Sequence, residues 1–144
     1  MNTEDFIDTF KAGFGKDLLE VTRLKDKRLK IHIIPGAIVN VARFLHLHLR
    51  FRFIIASAMH TKKGFEILYH FSDDASGNII NVQVVLDEKK PEIESLTGVF
   101  TAADWIEREI YEILGIKFLN HPNLDKLLSD GNWAEGVYPY RNSD

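Results

Sequence analysis

The 144-residue chain contains no cysteine. It can therefore form neither a disulfide nor a cysteine-ligated iron-sulfur cluster, and it can offer no thiolate to a zinc ion. Any redox centre of this kind would have to belong to another polypeptide.

The chain also lacks a strong charge excess and a long apolar run. Its formal net charge is only -3, whereas proteins that bind nucleic acid usually carry a basic excess. The N-terminal "MNTEDFIDTFK" has neither the basic nor the apolar region of a secretory signal, and no apolar run approaches the ~20 residues of a membrane helix. We therefore expect a soluble, intracellular protein with no nucleic-acid partner and no direct membrane insertion.

The composition is that of an ordinary globular protein. The sequence is 45% hydrophobic and 27% charged, far from the weakly hydrophobic and highly charged profile of disordered chains. A chain of this length can bury a substantial core.

Hydrophobic periodicity divides the chain into helices and strands. Helical spacing predicts one helix that begins near Thr3 and ends at Gly15, a second over about residues 37–49 and a third over residues 102–114. Alternating and β-branched runs predict a hairpin of "LLEVTRL" and "RLKIHII", then strands at residues 51–59, 65–71 and 78–86. This order favours a two-layer α+β fold, with a mixed β-sheet, helices on one face and an extended C-terminal tail.

The ends of the third helix carry their own signals. Thr101 with Asp104 suggests a capping box at its start. Gly115 followed by Ile116 predicts a left-handed cap at its end.

Carboxylates on this helix raise the question of a metal-dependent site. The candidate ligands are Glu107, Glu109, Glu112 and His121. Glu107 and Glu109 lie roughly 160° apart on a helix, so they cannot hold one ion together. Arg108 is four residues from both Asp104 and Glu112 and is predicted to pair with them. A solvated or interface salt-bridge network is the favoured interpretation.

The face of the third helix opposite its apolar residues carries Trp105, Arg108 and Tyr111. These residue types dominate binding hot spots. Two explanations stay open: a partner protein covers them, or the C-terminal tail folds back over them.

Two other groups of residues are candidates for binding. His46 and His48 would share a strand face but lie roughly 200° apart on the predicted helix, which argues against a shared metal ion. Arg50 and Arg52 alternate with phenylalanines, as in some nucleic-acid platforms, but a strand with one solvated face explains this too. An isolated metal- or nucleic-acid-binding module is the more distant alternative.

The last third of the chain, residues 91–141, resembles a known family. It has an E-R-E triplet on a helix, then G-I-x-F, an H-P pair and a Trp, Gly, Pro and Arg ending. This pattern is similar to that of the C subunit of respiratory complex I (NADH-quinone oxidoreductase) and of the homologous subunit of energy-converting membrane-bound nickel-iron hydrogenases. The matching residues are Glu107, Arg108, Glu109, Gly115, Ile116, Phe118, His121, Pro122, Trp133, Gly136, Pro139 and Arg141.

The resemblance implies a cofactor-free structural subunit of a hydrophilic arm, peripheral on the inner face of the cell membrane. Its partners would be the large subunit, with a nickel-iron site or quinone pocket, and iron-sulfur subunits. The implied contacts are Trp105, Arg108, Glu112 and the tail from residue 120 to 141. Glu107 and Glu109 would fix the helix and tail. Residues 1–118 would form the core domain, and residues 119–144 an extension that packs on a partner.

The ending distinguishes two branches of this family. Complex I members usually carry leucine, arginine, lysine and aspartate around the final proline, followed by a longer tail. Here "YPYRNSD" takes that place, and "PEIESLTGVF" is closer to the hydrogenase branch. We therefore expect a hydrogenase subunit, with complex I as the alternative, and a tail that is mobile until it orders on a partner.

Overall fold

The computed structural model describes residues 1–25, 27–122 and 124. It contains a five-stranded mixed sheet, a two-stranded sheet and helices that pack on one face, which confirms the predicted α+β class. The elements are α1 (Thr3–Phe14), β1 (Leu18–Arg23), β2 (Arg28–Ile33), α2 (Ile38–Arg43), β3 (Arg52–Thr61), β4 (Gly64–Asp73), β5 (Asn78–Leu86), β6 (Glu92–Glu94), α3 (Ala103–Leu114) and β7 (Lys117–Leu119).

The strand order in the large sheet is β1-β2-β5-β4-β3. β2 and β5 are parallel, whereas the other neighbouring pairs are antiparallel. The chain therefore crosses from β2 through α2 and the β3–β4 hairpin before β5 returns to the centre. Among the strands of the described residues, β1 and β3 lie at the edges.

The core lies between this sheet and the helices. Alternate residues of the central strands face it, because side chains in a strand alternate between its two faces. In β4 the buried hydrophobic residues are Phe65, Ile67, Tyr69 and Phe71, and in β2 they are Leu29, Ile31 and Ile33. All three helices contribute to the same cluster.

The first helix follows the prediction closely. The Asn2 side chain caps it by accepting a hydrogen bond from the Asp5 N–H at 2.8 Å. The predicted second helix, residues 37–49, forms as a 3-10 turn at Pro35–Ala37, then α2, then a π-helical turn at Phe44–His48.

The β3–β4 hairpin closes through a two-residue turn at Lys62 and Lys63. Gly64 follows with a φ of +129°, and a Cβ there would lie 2.2 Å from the Leu86 carbonyl oxygen. Only glycine fits this close approach without a shift of the backbone.

The structure differs from the sequence prediction around α3. The short parallel pair β6–β7 was not predicted, because three-residue strands show no measurable periodicity. The predicted capping box is wrong: Ala102 precedes the helix, and no side chain of the described residues caps it. The predicted C-terminal cap is confirmed, because Gly115 has a φ of +77° and donates its N–H to the Tyr111 carbonyl at 2.8 Å.

Within the described residues, no helix is long and apolar enough to span a membrane.

Candidate interaction surface on the third helix

The chain reverses direction after α3 and returns along it. Gly115 allows the turn, and Ile116 and Phe118 enter the core immediately afterwards, with 0% and 2% exposure. β7 then pairs with β6. This path brings His121 back against the first turns of α3.

Of the two acids in the E-R-E triplet, Glu107 is buried and Glu109 is exposed. The carboxylate of Glu107 accepts hydrogen bonds from the Ser95 hydroxyl at 2.5 Å and the Leu96 N–H at 2.8 Å. Glu107 therefore fastens α3 to the loop that follows β6.

His121 joins the same group of side chains. Its imidazole is fully buried, and Nε2 lies 3.2 Å from Asp104 Oδ1 and 3.9 Å from Glu107 Oε1. We call Glu107, Asp104, His121 and Ser95 the Glu107 cluster. It connects α3, the loop after β6 and the segment after β7.

Burial raises the pKa of Glu107 from its ordinary value of 4.5 to about 7. The hydrogen bonds from Ser95 and Leu96 act in the opposite direction, and the charge of Asp104 adds to the increase. Glu107 is therefore partly protonated at neutral pH. Burial also raises the pKa of Tyr69, with a further contribution from the charge of Glu107, and the Tyr69 hydroxyl has no hydrogen-bond partner among the described residues.

The predicted pairing of Arg108 with Asp104 and Glu112 within α3 is wrong, and a salt bridge across an interface stays a prediction. Arg108 forms no ion pair with Asp104 or Glu112 among the described residues, and its buried Nε makes no hydrogen bond to any of them. Glu112, expected on the polar side, is fully buried. α3 packs against both β3 and β7, and its buried residues include Glu107 and Glu112 beside the apolar ones.

Trp105 remains on the surface. Its side chain is 55% exposed, whereas Arg108 and Tyr111 on the same side of α3 are half-buried. Glu109 and Pro122 are exposed too. The exposed part of the predicted contact set therefore centres on Trp105.

Four residues of the predicted set, Trp133, Gly136, Pro139 and Arg141, lie outside the described residues. The predicted mobility of the tail concerns the same segment. Both stay predictions.

Two of the other sequence candidates, His46 and Arg52, make structural contacts. His46 Nδ1 lies 3.0 Å from the Phe51 carbonyl oxygen. Arg52 pairs with Asp74 through its Nε at 3.0 Å. Among the residues that the structure describes, no group of three or more His, Asp or Glu side chains is arranged to hold a metal ion.

Sequence reasoning gave no role to Ser95, Leu96 or Tyr69. For Glu107 a signal existed: it falls four residues after Ala103 and three before Ile110, and both of these positions are buried. An acid buried at the edge of such a stripe needs internal hydrogen bonds. Its donors come from a distant loop, and helical spacing cannot identify them.

Comparisons with known proteins give consistent results. Residues 31–143 match the family described as respiratory-chain NADH dehydrogenase, 30 Kd subunit. The C subunit of NADH-quinone oxidoreductase from Chelativorans sp. (strain BNC1) is 36% identical over 130 residues, which cover 83% of this chain and 64% of that protein. The corresponding protein of Citrifermentans bemidjiense is 31% identical over 128 residues, covering 86% and 79%. The chain thus spans about 64% of the length of the Chelativorans relative.

Two solved structures share the fold. A chain of the membrane-bound sulfane sulfur reductase, an archaeal respiratory membrane complex, superposes with a TM-score of 0.79 at 20% identity, covering 96% of this chain and 82% of that one. The trypsin-resistant fragment (1-134) of Nqo5 gives a TM-score of 0.64 at 18% identity, with coverage of 86% and 100%.

Proposed function

Because the chain belongs to the family of the 30 kDa subunit of respiratory-chain NADH dehydrogenase, we propose that it is a non-catalytic subunit of a membrane-bound, ion-translocating electron-transfer complex. In this role it carries no cofactor, lies in the hydrophilic arm on the inner face of the membrane, and packs against a large subunit and iron-sulfur subunits. Our specific proposal is an energy-converting nickel-iron hydrogenase.

The observation that carries the proposal is the exposure of Trp105 on the helix of the E-R-E triplet. Exposure of about half of a tryptophan side chain to water is unfavourable. Tryptophan is also among the residues that contribute most to the binding energy of protein interfaces. Glu107 on the same helix is engaged inside the molecule. One side of α3 is held inside the molecule by the hydrogen bonds of Glu107, and the other side exposes Trp105. This arrangement suits an element that binds a partner rather than a reaction centre.

The hydrogenase branch is supported by "YPYRNSD" and "PEIESLTGVF". The alternative is the C subunit of complex I, and the names of the curated relatives favour it. The two branches differ in the partners that they assemble with, so isolation of the assembly distinguishes them.

The test is affinity purification of the tagged chain from its native membranes in mild detergent, with identification of the copurifying proteins and assays for nickel and iron. A nickel-bearing large subunit with cysteine-rich small subunits would support the hydrogenase branch. Flavin-containing and quinone-reducing subunits would support complex I. Recovery of the chain alone would contradict the proposed function.

Trp105→Ala tests the docking helix directly. We expect recovery of the large subunit to fall by roughly tenfold or more, as for a truncated hot-spot residue. The matched control is Leu19→Ala, since Leu19 is 58% exposed on β1 at the opposite edge of the sheet. Equal recovery with both variants would exclude Trp105 from the interface.

A further inference from the structure

β3 presents a long free edge. It is the terminal strand of the large sheet, and none of the described residues pairs with its outer side. From Ile55 to Thr61 its pairing with β4 is regular. Proteins usually protect such edges with proline, lysine or bulges, and this stretch contains none of them.

The geometry of the hairpin identifies the unpaired backbone groups. Thr61 and Gly64 are paired across a two-residue turn, so they form the hydrogen-bonded kind of pair. The two kinds of pair alternate along an antiparallel ladder. Ala56 and Ala58 therefore direct their N–H and C=O groups to the free edge, whereas Ser57 bonds to β4.

A groove runs between this edge and α3. It has a volume of about 260 Å³, with Ala56 and Ala58 on one side and Ile110 and Ile113 on the other. The two alanines leave the space open because they are small. The volume is several times the roughly 30 Å³ that a water molecule occupies in the liquid, so the groove has room for a large side chain.

The other face of the edge is apolar too. Ile55 and Met59 are 50% and 52% exposed, and both lie on the face opposite the helices. A strand added beside β3 would therefore meet apolar surface on both of its faces. The rim of the groove carries Glu109, which is exposed and forms no ion pair within the described residues.

A second copy of this chain fits the edge poorly. Antiparallel self-pairing around Ser57 would offer only Ala56 and Ala58 to the groove, and these side chains would leave it unfilled. The groove therefore favours a different polypeptide.

We propose that β3 accepts an extended segment of a partner subunit as a sixth strand of the sheet. One large apolar side chain of that segment enters the groove between β3 and α3, and a basic side chain beside it pairs with Glu109. Backbone hydrogen bonds provide the attachment, and the groove with Glu109 provides the selectivity. This inference rests on the proposed function, because it requires that the chain has a partner.

Hydrogen exchange of the full chain, alone and in its isolated complex, tests the added strand. The amides of Ala56 and Ala58 are expected to exchange rapidly in the free chain and roughly a hundredfold or more slowly in the complex. The Ser57 amide serves as an internal control, because its hydrogen bond to β4 exists in both states. Unchanged exchange of Ala56 and Ala58 in an intact complex would overturn the proposal while leaving the proposed function in place.

Protection that is already present in the free chain would also overturn it. If that protection grows with protein concentration, a second copy is the occupant. If it does not depend on concentration, the chain covers its own edge. Failure to isolate any complex would instead count against the proposed function itself.

Two pairs of variants separate the parts of the site. Glu109→Lys is expected to lower recovery of the partner roughly threefold to tenfold, whereas Asp8→Lys makes the same charge change on exposed α1 and leaves recovery unchanged. Ala58→Pro removes an outward amide, and Ala58→Val adds comparable bulk but keeps that amide. Recovery should be lower with the proline than with the valine, and equal recovery would exclude backbone pairing at this edge.

Discussion

Glu107 occupies a position where the pattern of α3 calls for an apolar side chain. Two hydrogen bonds compensate for its burial, yet its pKa is still raised to about 7. Protonation is therefore coupled to folding at this residue.

Glu107→Gln should remove part of the pH dependence of stability. Between pH 4.5 and about 7, Glu107 keeps its proton in the folded state but loses it in the unfolded state. The contribution of this proton to the free energy of unfolding is therefore complete below pH 4.5 and is lost as the pH rises through 7. The difference is on the order of 3 kcal/mol. Urea denaturation at pH 5 and pH 8 measures it, and the free energy of unfolding of the variant should change less.

Glu109→Gln is the matched control, because Glu109 is an exposed glutamate on the same helix. It should keep the pH dependence of the unchanged protein. Identical pH dependence of both variants would show that Glu107 titrates normally.

Tyr69→Phe should not destabilise the protein. The buried hydroxyl lacks a hydrogen-bond partner within the described part of the chain, so its removal should leave the free energy of unfolding unchanged or raise it by up to about 1 kcal/mol. Urea denaturation checks this. A loss of more than about 1 kcal/mol would indicate a hydrogen bond to a buried water molecule.

At the scale of elements, long periodic segments could be predicted from sequence and short ones could not. The alternation in "RLKIHII" predicted β2, and the spacing of apolar residues predicted α1 and α3. β6 and β7 depend on each other, although they are separated by the whole of α3. Local sequence contains no information about such a pair.

Gly115→Ala tests the cap that ends α3. A left-handed φ of +77° disfavours a residue with a Cβ, so we expect a loss of about 1 kcal/mol in the free energy of unfolding. In contrast, Gly13→Ala lies within α1, where an added Cβ meets nothing within 4 Å, and should stabilise by roughly 0.5–1 kcal/mol. Thermal or urea unfolding measures both, and effects of the same sign would contradict the assigned cap.

At the scale of the whole molecule, the members of the buried core cluster within the described part of the chain lie between Phe6 and Phe118. Leu124 packs against this core, partly buried. We expect a chain that ends after Leu124 to unfold in one cooperative urea transition, because it keeps every described member of this cluster. A broad transition without cooperativity would show that residues 125–144 are needed for the fold.

The strand order of the sheet could not be predicted from the sequence. Alternation showed which residues of β2 face the core. It did not show that β2 pairs with β5 rather than with β3, the next strand along the chain. That choice depends on the crossover through α2 and on packing of the complete core. Residue types alone suggested α3 as an interaction surface, whereas the β3 groove became visible only once α3 was placed beside the edge.

The parallel pairing of β2 with β5 also dictates an order of events during synthesis. Residues 28–32 of β2 must wait for residues 79–83 of β5 before their second side can be hydrogen-bonded. A ribosome adds ~5–20 residues per second, so the nascent N-terminal hairpin spends several seconds with β2 as a temporary edge. During that interval the side of β2 that later binds β5 has unpaired backbone groups, as an edge strand does.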